Sequence, residues 1–535
     1  MFSFTINPKI IKNFENFARK YLFIFVFIFL SAISIYFFIY YLQNGLGLNY
    51  NDARSHLDIG RRVVEGLKPG LAQLGSVWLP LNHMLMVPLI WNDWAWHTGF
   101  AGTVWSMLSF VGTGLIIYKY LEELKVGILG RLTAVAVFVA NVNVLYLQST
   151  AMTELLMLFT LTASSYYLMK WHKSENINEL IKVAFWVMMA TLTRYDGWFM
   201  LGMVTVLIAY HVWKKSSYKK MEGVSILFLT VAAFGVVIWL AWNQLIFGDA
   251  LYWAIGPYSA HAQQEVMSEA GALPTKYNLL LSIKVYFYAL LYNSYTYPAI
   301  LGMIGAIVLW CDRKIDAGLR ISTTALMSPF IFNILALFLG FSVIYVQGIS
   351  GDTWFNVRYG VMLAPTIAIF IGYLVDQAKT YRLLLIGSLM FVLFFAFANN
   401  DAVTIDDARV GSSQKNVSEV SGWLHDNAKD EAGFILISAA SHDAIIFSSG
   451  LPMKKFIHEG TGAYWESATT SPDRWARWVV MRTHDNNDQT FKLLSLTNQL
   501  YKYDLVESYP FADIYVLKTE FIPALNTQPI YGRQK

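Results

Sequence analysis

The chain has 535 residues, 56% of them hydrophobic and only 14% charged, where a soluble domain averages about 25% charged. That composition excludes an ordinary soluble enzyme and points to a polytopic membrane protein. The formal net charge of +4 is small and the basic residues are scattered among short loops, so nucleic-acid binding finds no support; the single cysteine, Cys311, excludes an intramolecular disulfide and any cysteine-rich metal site.

The apolar run from Tyr21 to Leu42 is too long for the core of a signal peptide and no small-residue cleavage site follows it, so it reads as a retained first span. Hydrocarbon about 30 Å thick needs roughly 20 apolar helical residues, fewer where a helix packs inside a bundle. Segments 21–42, 99–118, 132–148, 155–170, 181–193, 197–213, 224–246, 286–310, 321–346, 361–375 and 383–398 meet that need, giving about eleven spans. Basic residues of short loops concentrate on the cytoplasmic side. Lys9, Lys12, Arg19 and Lys20 precede the first span, and Lys119/Lys125/Arg131, Lys170/Lys173/Lys182, Lys214/Lys215/Lys219/Lys220, Arg313/Lys314/Arg320 and Lys379/Arg382 occupy every second connection. The N-terminus is therefore expected in the cytoplasm of a multi-pass cell-membrane protein. An odd number of spans puts the C-terminal segment outside, with loops 43–98, 148–154, 247–285 and 347–360.

Outward loops should be poor in Lys and Arg, yet the first holds Arg54, Arg61, Arg62 and Lys68 within or beside Asn49-Tyr-Asn-Asp52-Ala-Arg54-Ser-His56-Leu-Asp58-Ile-Gly-Arg61-Arg62. The exception argues for function in this loop, although Arg61 and Arg62 also suit snorkelling interfacial anchors. Trp91, Trp94 and Trp96 suit an interfacial aromatic belt. After Asn399 the sequence turns polar, with β-rich runs at 434–437, 444–447 and 478–481 and a helical stretch near 417–427. The expected division is a transmembrane catalytic domain over 1–398 and a soluble extracytoplasmic α/β domain over 399–535, large enough to bury its own core. Asp401, Asp406 and Asp407 read as a solvated connector between them.

Charged groups within spans cost roughly 2.5–3.5 kcal/mol each on insertion scales, so those at span ends need partners or water. The outward ends hold Asp52, His83, Glu154, Arg194, Asp196 and Arg358, and one shared outward cavity accounts for all of them together. A carboxylate beside a nucleophilic hydroxyl can act as general base, and arginines hold phosphate by bidentate, charge-assisted bonds. The set suits transfer of a sugar from a lipid phosphate, with Asp52 as base and Arg358 on the departing phosphate. Plainer readings stand beside it: Asp52 capping a helix 53–67, structural hydrogen bonds for His56 and His83, a turn-ordering Arg194/Asp196 pair, Glu154 at a helix N-terminus, and an ion pair of Arg358 with Asp352. No Walker loop, Rossmann fingerprint, His-x-x-x-His or Cys-x-x-Cys is present, which disfavours nucleotide hydrolysis and zinc chemistry. Ser441, His442 and Asp443 are adjacent, whereas hydrolase triads converge from separate segments.

Asp52 with the trailing Ile59-Gly-Arg61, Thr153-Glu154, Arg194-Tyr-Asp196-Gly197, and Arg358-Tyr359 followed by Pro365 together resemble the motifs of the GT-C superfamily of integral membrane glycosyltransferases. The branch concerned contains the protein O-mannosyltransferases and the lipid A aminoarabinose transferase, and the likeness spans roughly residues 20–400. It implies a GT-C-like helical membrane fold and a polyprenyl-phosphate monosaccharide donor used on the non-cytoplasmic face with inversion. The acceptor would be a glycan, lipid or protein, in contact with membrane lipids. It also implies Asp52 as the catalytic carboxylate; Glu154 is the choice for a second one, and Arg54, His56, His83, Arg194, Asp196, Arg358 and Tyr359 are expected to contact substrate. Two departures stand out: Asp52-Ala53 where many relatives pair two acidic residues, which leaves a divalent cation, Mg or Mn, an open question, and His56 where the aminoarabinose transferase pattern has Tyr. The C-terminal domain would bind a glycan acceptor or cap the cavity. The alternative is a transporter or flippase of a lipid-linked or anionic solute, for which matched repeats and broken helices are expected and not evident in the sequence.

Overall fold

The computed structural model describes residues 8–256, 259–411, 414–510 and 512–529. Helices dominate up to residue 411, and a five-stranded sheet follows. Among the described residues six helical segments are long and apolar enough to cross a membrane: Tyr21–Gln43, Phe100–Glu123, Asp196–Lys215, Ala317–Leu339, Val357–Gln377 and Lys379–Val410. Two bent pairs raise the number to eight, Tyr218–Ala232 with Phe234–Phe247 (47°) and Leu279–Ser294 with Thr296–Cys311 (109°). The other three expected spans fall short of that length and composition for visible reasons. Segment 132–148 is broken at Asn141 into Ile128–Val139 and Val142–Leu147. Segment 181–193 lies in the 17-residue helix Ile177–Thr193. Segment 155–170 lies in Glu154–Ser174, whose Thr160, Thr162, Ser164 and Ser165 are buried against other helices and so need not be apolar. The two bent pairs are broken helices of a kind that the sequence did not reveal. At the sharper bend Tyr295 takes φ 61°.

The loop after the first span forms the helix Asn51–Val64, nine of whose residues are buried although six of them are polar or glycine: Arg54, Ser55, His56, Asp58, Gly60 and Arg61. A helix so polar can be buried only where other elements supply partners. The C-terminal domain supplies part of the cover. Its strands β1 (Phe434–Ile437), β2 (Phe456–Ile457), β3 (Ala476–Met481), β4 (Tyr503–Ser508) and β5 (Asp513–Leu517) lie in the order β2-β1-β3-β5-β4, the first three parallel and the last two antiparallel. It meets the loop where Gln73 donates to the Gly460 carbonyl at 2.6 Å and where Phe447 stands edge-on to Trp96, with ring centroids 5.9 Å apart.

Two local readings are corrected here. The apolar run 444–447 is not a strand but part of the helix Ala439–Ser448; a four-residue apolar run carries no periodicity that separates the two. Trp96 is 1% exposed beneath the domain seam, so only Trp91 and Trp94 remain exposed as interfacial aromatics.

Candidate active site

The helix Asn51–Val64 begins one residue before Asp52, so Asp52 lies in its first turn rather than at its cap; Tyr50, the N-cap, makes no side-chain cap bond. Asp52 instead faces Arg358, whose Nη2 donates to Asp52 Oδ2 at 2.5 Å. Arg358 sits on the 3₁₀ turn Val357–Leu363, held close to the helix Leu279–Ser294 because Gly360 has no side chain: a Cβ there would lie 2.2 Å from the Ala289 carbonyl oxygen. Its Nε donates to Glu154 Oε1 at 3.1 Å, and Nη1 lies 3.8 Å from Asp407 Oδ2. The plainer reading, an ion pair with Asp352, is not found; Arg358 pairs instead with three carboxylates from distant segments.

Glu154 opens the helix Glu154–Ser174 and is fully buried. The same Oε1 accepts from Arg194 Nη1 at 3.3 Å, and Arg194 Nε donates to Asp196 Oδ2 at 2.7 Å. Arg194 is the extended residue between the helices Ile177–Thr193 and Asp196–Lys215. The turn closes because residue 197 is glycine, whose added Cβ would lie 2.3 Å from the backbone carbonyl of Ala190. Tyr359 lies under both guanidiniums, 4.7 Å from Arg194 and 5.2 Å from Arg358, a cation–π geometry.

Asp52, Glu154, Arg194, Asp196, Arg358 and Tyr359 therefore form one cluster. His56 and His83 form a second unit, Nδ1 to Nε2 at 2.8 Å, with the Trp78 ring 4.5 Å from the His56 ring. Burial, reinforced by the charges of Arg358 and Arg194, pushes the His56 imidazole down to about 3, so the pair is neutral and one ring donates to the other. Arg54 turns away, its Nε tied to the Leu48 carbonyl at 3.0 Å. Arg61 is no snorkelling anchor. It is buried over Trp96 and bonds Glu65, Asp93 (2.5 Å) and the Ile90 carbonyl (2.8 Å), a strut bracing the loop.

Asp407 was expected in a solvated connector, yet it is 2% exposed and accepts from the Tyr50 hydroxyl at 3.0 Å. Its spacing from Val403, four residues earlier, apolar and buried, is the signal that could have placed it on the inner face of a helix.

Four carboxylates meet two guanidiniums here. The side-chain exposures decide which can act: Glu154 0%, Asp196 3% and Asp407 2%, against 41% for Asp52. An anionic ligand would reach Arg358 by taking the place of Asp52, which frees that carboxylate beside it. A divalent cation does not fit this arrangement. Asp52, Glu154 and Asp407 all face Arg358, and among the described residues no group of three or more His, Cys, Asp or Glu side chains is disposed to hold a metal.

No family model and no curated protein matches the chain. Solved structures do, among them two of ArnT from Cupriavidus metallidurans. The one bound to undecaprenyl phosphate is 10% identical at a TM-score of 0.52, over 94% of this chain and 98% of that one. The apo state is 11% identical at 0.54, over 95% and 99%. The chain has the fold of ArnT, membrane bundle and C-terminal domain together.

Proposed function

We propose that the protein is a membrane glycosyltransferase that moves a monosaccharide from a polyprenyl-phosphate donor to a glycan, lipid or protein acceptor on the non-cytoplasmic face. The observation that carries the reading is the single open carboxylate, Asp52, in contact with a buried, otherwise enclosed arginine, Arg358. The fold adds support, since ArnT, a GT-C glycosyltransferase, has been crystallised with undecaprenyl phosphate. In the reaction the acceptor oxygen or nitrogen forms its bond to the anomeric carbon as the bond from that carbon to phosphate oxygen breaks. The phosphate leaves with the electron pair, and its charge is met by Arg358. Asp52 takes the acceptor's proton. Glu154, closed to solvent, serves by holding Arg194 and Arg358 rather than by touching substrate.

The test is reconstitution of the purified protein with a panel of polyprenyl-phosphate sugars and acceptors, reading release of polyprenyl phosphate together with a glycosylated acceptor. The two bent helix pairs favour a transporter as the second reading, since broken helices are a mark of transporter sites. Counterflow of lipid-linked sugar without turnover on the whole panel would decide for it.

A further inference from the structure

The helix Val403–Gly411 follows the apolar helix Arg382–Ala398, at the end of the segment Lys379–Val410 and in a stretch whose composition reads as linker. The structure ties it into the site at three points. Thr404 accepts from the Tyr50 hydroxyl through its carbonyl at 2.8 Å. Its own amide and hydroxyl donate to Asn143 Oδ1 at 3.0 and 2.9 Å. Asp407 Oδ2 accepts from Tyr50 Oη at 3.0 Å and from the Arg358 amide at 3.5 Å, and lies 3.8 Å from Arg358 Nη1. Asn143 belongs to the same frame: it donates to the Asn293 carbonyl at 3.2 Å, and Asn293 donates to the Val357 carbonyl at 2.7 Å, one residue before Arg358. Tyr50, in turn, presents its ring 4.7 Å from the Arg358 guanidinium.

Arg358 is thus gripped by partners of two kinds. Glu154 on Nε and Asp407 beside Nη1 and the amide are closed to solvent, whereas Asp52 on Nη2 is open. A guanidinium is a planar fork, so fixing Nε and one terminal nitrogen fixes the direction of the other. We propose that Asp407 is a positioning residue for the transfer reaction: it keeps Arg358 Nη2 aimed at the donor phosphate after that phosphate has displaced Asp52. The inference rests on the transferase reading above. It makes residues 403–411 part of the site, so the functional boundary falls after Gly411 rather than at 398.

Two consequences have opposite sign, which makes the role testable. Loss of the Asp407 charge leaves Arg358 less neutralised, so ground-state binding of an anion does not weaken. Loss of aim weakens stabilisation of the charge that develops on the departing phosphate, which lowers kcat. For Asp407→Asn in the full chain, native mass spectrometry should give full stoichiometry of polyprenyl phosphate with unchanged or tighter affinity. The kcat per bound site should fall about tenfold or more, equivalent to about 1.4 kcal/mol of lost transition-state stabilisation. In an Arg358→Lys background, which lacks the fork, Asp407→Asn should add less than about twofold, because residues acting through one another are non-additive. Unchanged kcat in Asp407→Asn, lost or weakened polyprenyl-phosphate binding, or a full additional tenfold loss in the Arg358→Lys background would each overturn the role. Wild-type turnover separates the two failures: its absence sinks the transferase reading and this inference with it, whereas wild-type turnover unaffected by Asp407→Asn sinks the inference alone.

Discussion

Replacing Asp52 by Asn and, separately, Glu154 by Gln sets chemistry against stability within one cluster. Both changes remove a charge and keep a similar shape. Asp52 is 41% exposed, and ion pairs open to solvent contribute about 0–1 kcal/mol; Arg358 keeps Glu154 and Asp407 when it is lost. Asp52→Asn should therefore melt close to wild type. Its transfer rate should fall by about 10²–10⁴, the usual range for a general base, equivalent to roughly 3–5 kcal/mol of barrier. Glu154 is fully buried and accepts from both arginines. Removing one partner of a buried ion pair costs about 3–5 kcal/mol, so Glu154→Gln should melt well below wild type; because Glu154 also fixes Arg358 Nε, transfer per folded molecule should fall too, but by less than in Asp52→Asn. The assays are thermal melting of the detergent-solubilised protein by intrinsic fluorescence and release of polyprenyl phosphate per folded molecule. Transfer by Asp52→Asn within tenfold of wild type would remove Asp52 as base. A cold-melting Asp52→Asn beside a wild-type-like Glu154→Gln would reverse the assignment of roles.

Gly197→Ala should fail to accumulate as folded protein, since its Cβ would meet the Ala190 backbone at 2.3 Å, whereas Gly202→Ala, with nothing within 4 Å of the added Cβ, should express normally; equal yields would contradict the turn geometry. Burial pushes His56 and His458 down to about 3 from an unfolded value near 6.5. Each then stays neutral in the folded state while the unfolded chain takes up a proton, so its stabilising contribution is complete above pH 6.5. That contribution is lost as pH falls toward 3, by up to about 1.4 kcal/mol per pH unit for each histidine. Denaturation between pH 7 and 5 measures this, His458→Asn should flatten the slope, and a pH-independent wild type would refute it. With Cys311 replaced by Ser, a cysteine at the exposed Asp93 should label from outside intact cells and one at the exposed Ser217 should not. The reverse pattern would invert the orientation on which the non-cytoplasmic reaction rests.

The site was legible where sequence and membrane physics speak together. Asp52, Glu154, Arg194, Asp196 and Arg358 are ionisable groups at the ends of apolar runs, where each needs a partner, and the alternation of basic loops assigned them all to one side. Asp407 was hidden because a short polar helix and a solvated linker share a composition; its burial depends on Tyr50, 357 residues earlier in the chain. The pairing of His56 with His83 spans 27 residues and a loop, a distance over which spacing says nothing about contact. The span count was legible only in part, because hydropathy identifies helices that face lipid. The helix Glu154–Ser174 faces protein along nearly its whole length and can carry hydroxyls that a lipid-facing helix would not.

The contacts that close the cluster also fix when it can form. Arg358 reaches back 306 residues to Asp52, and Thr404 reaches back 354 to Tyr50. At about 5–20 residues per second of synthesis, the loop carrying Asp52 waits roughly 20–70 s for its last partners to be made. During that interval a helix destined for burial presents Arg54, His56, Asp58 and Arg61 uncovered at the edge of a growing membrane bundle. The cluster thus closes only after residue 407 has been made, and a nascent chain that stalls before Asp407 would expose an unfinished polar surface to quality control.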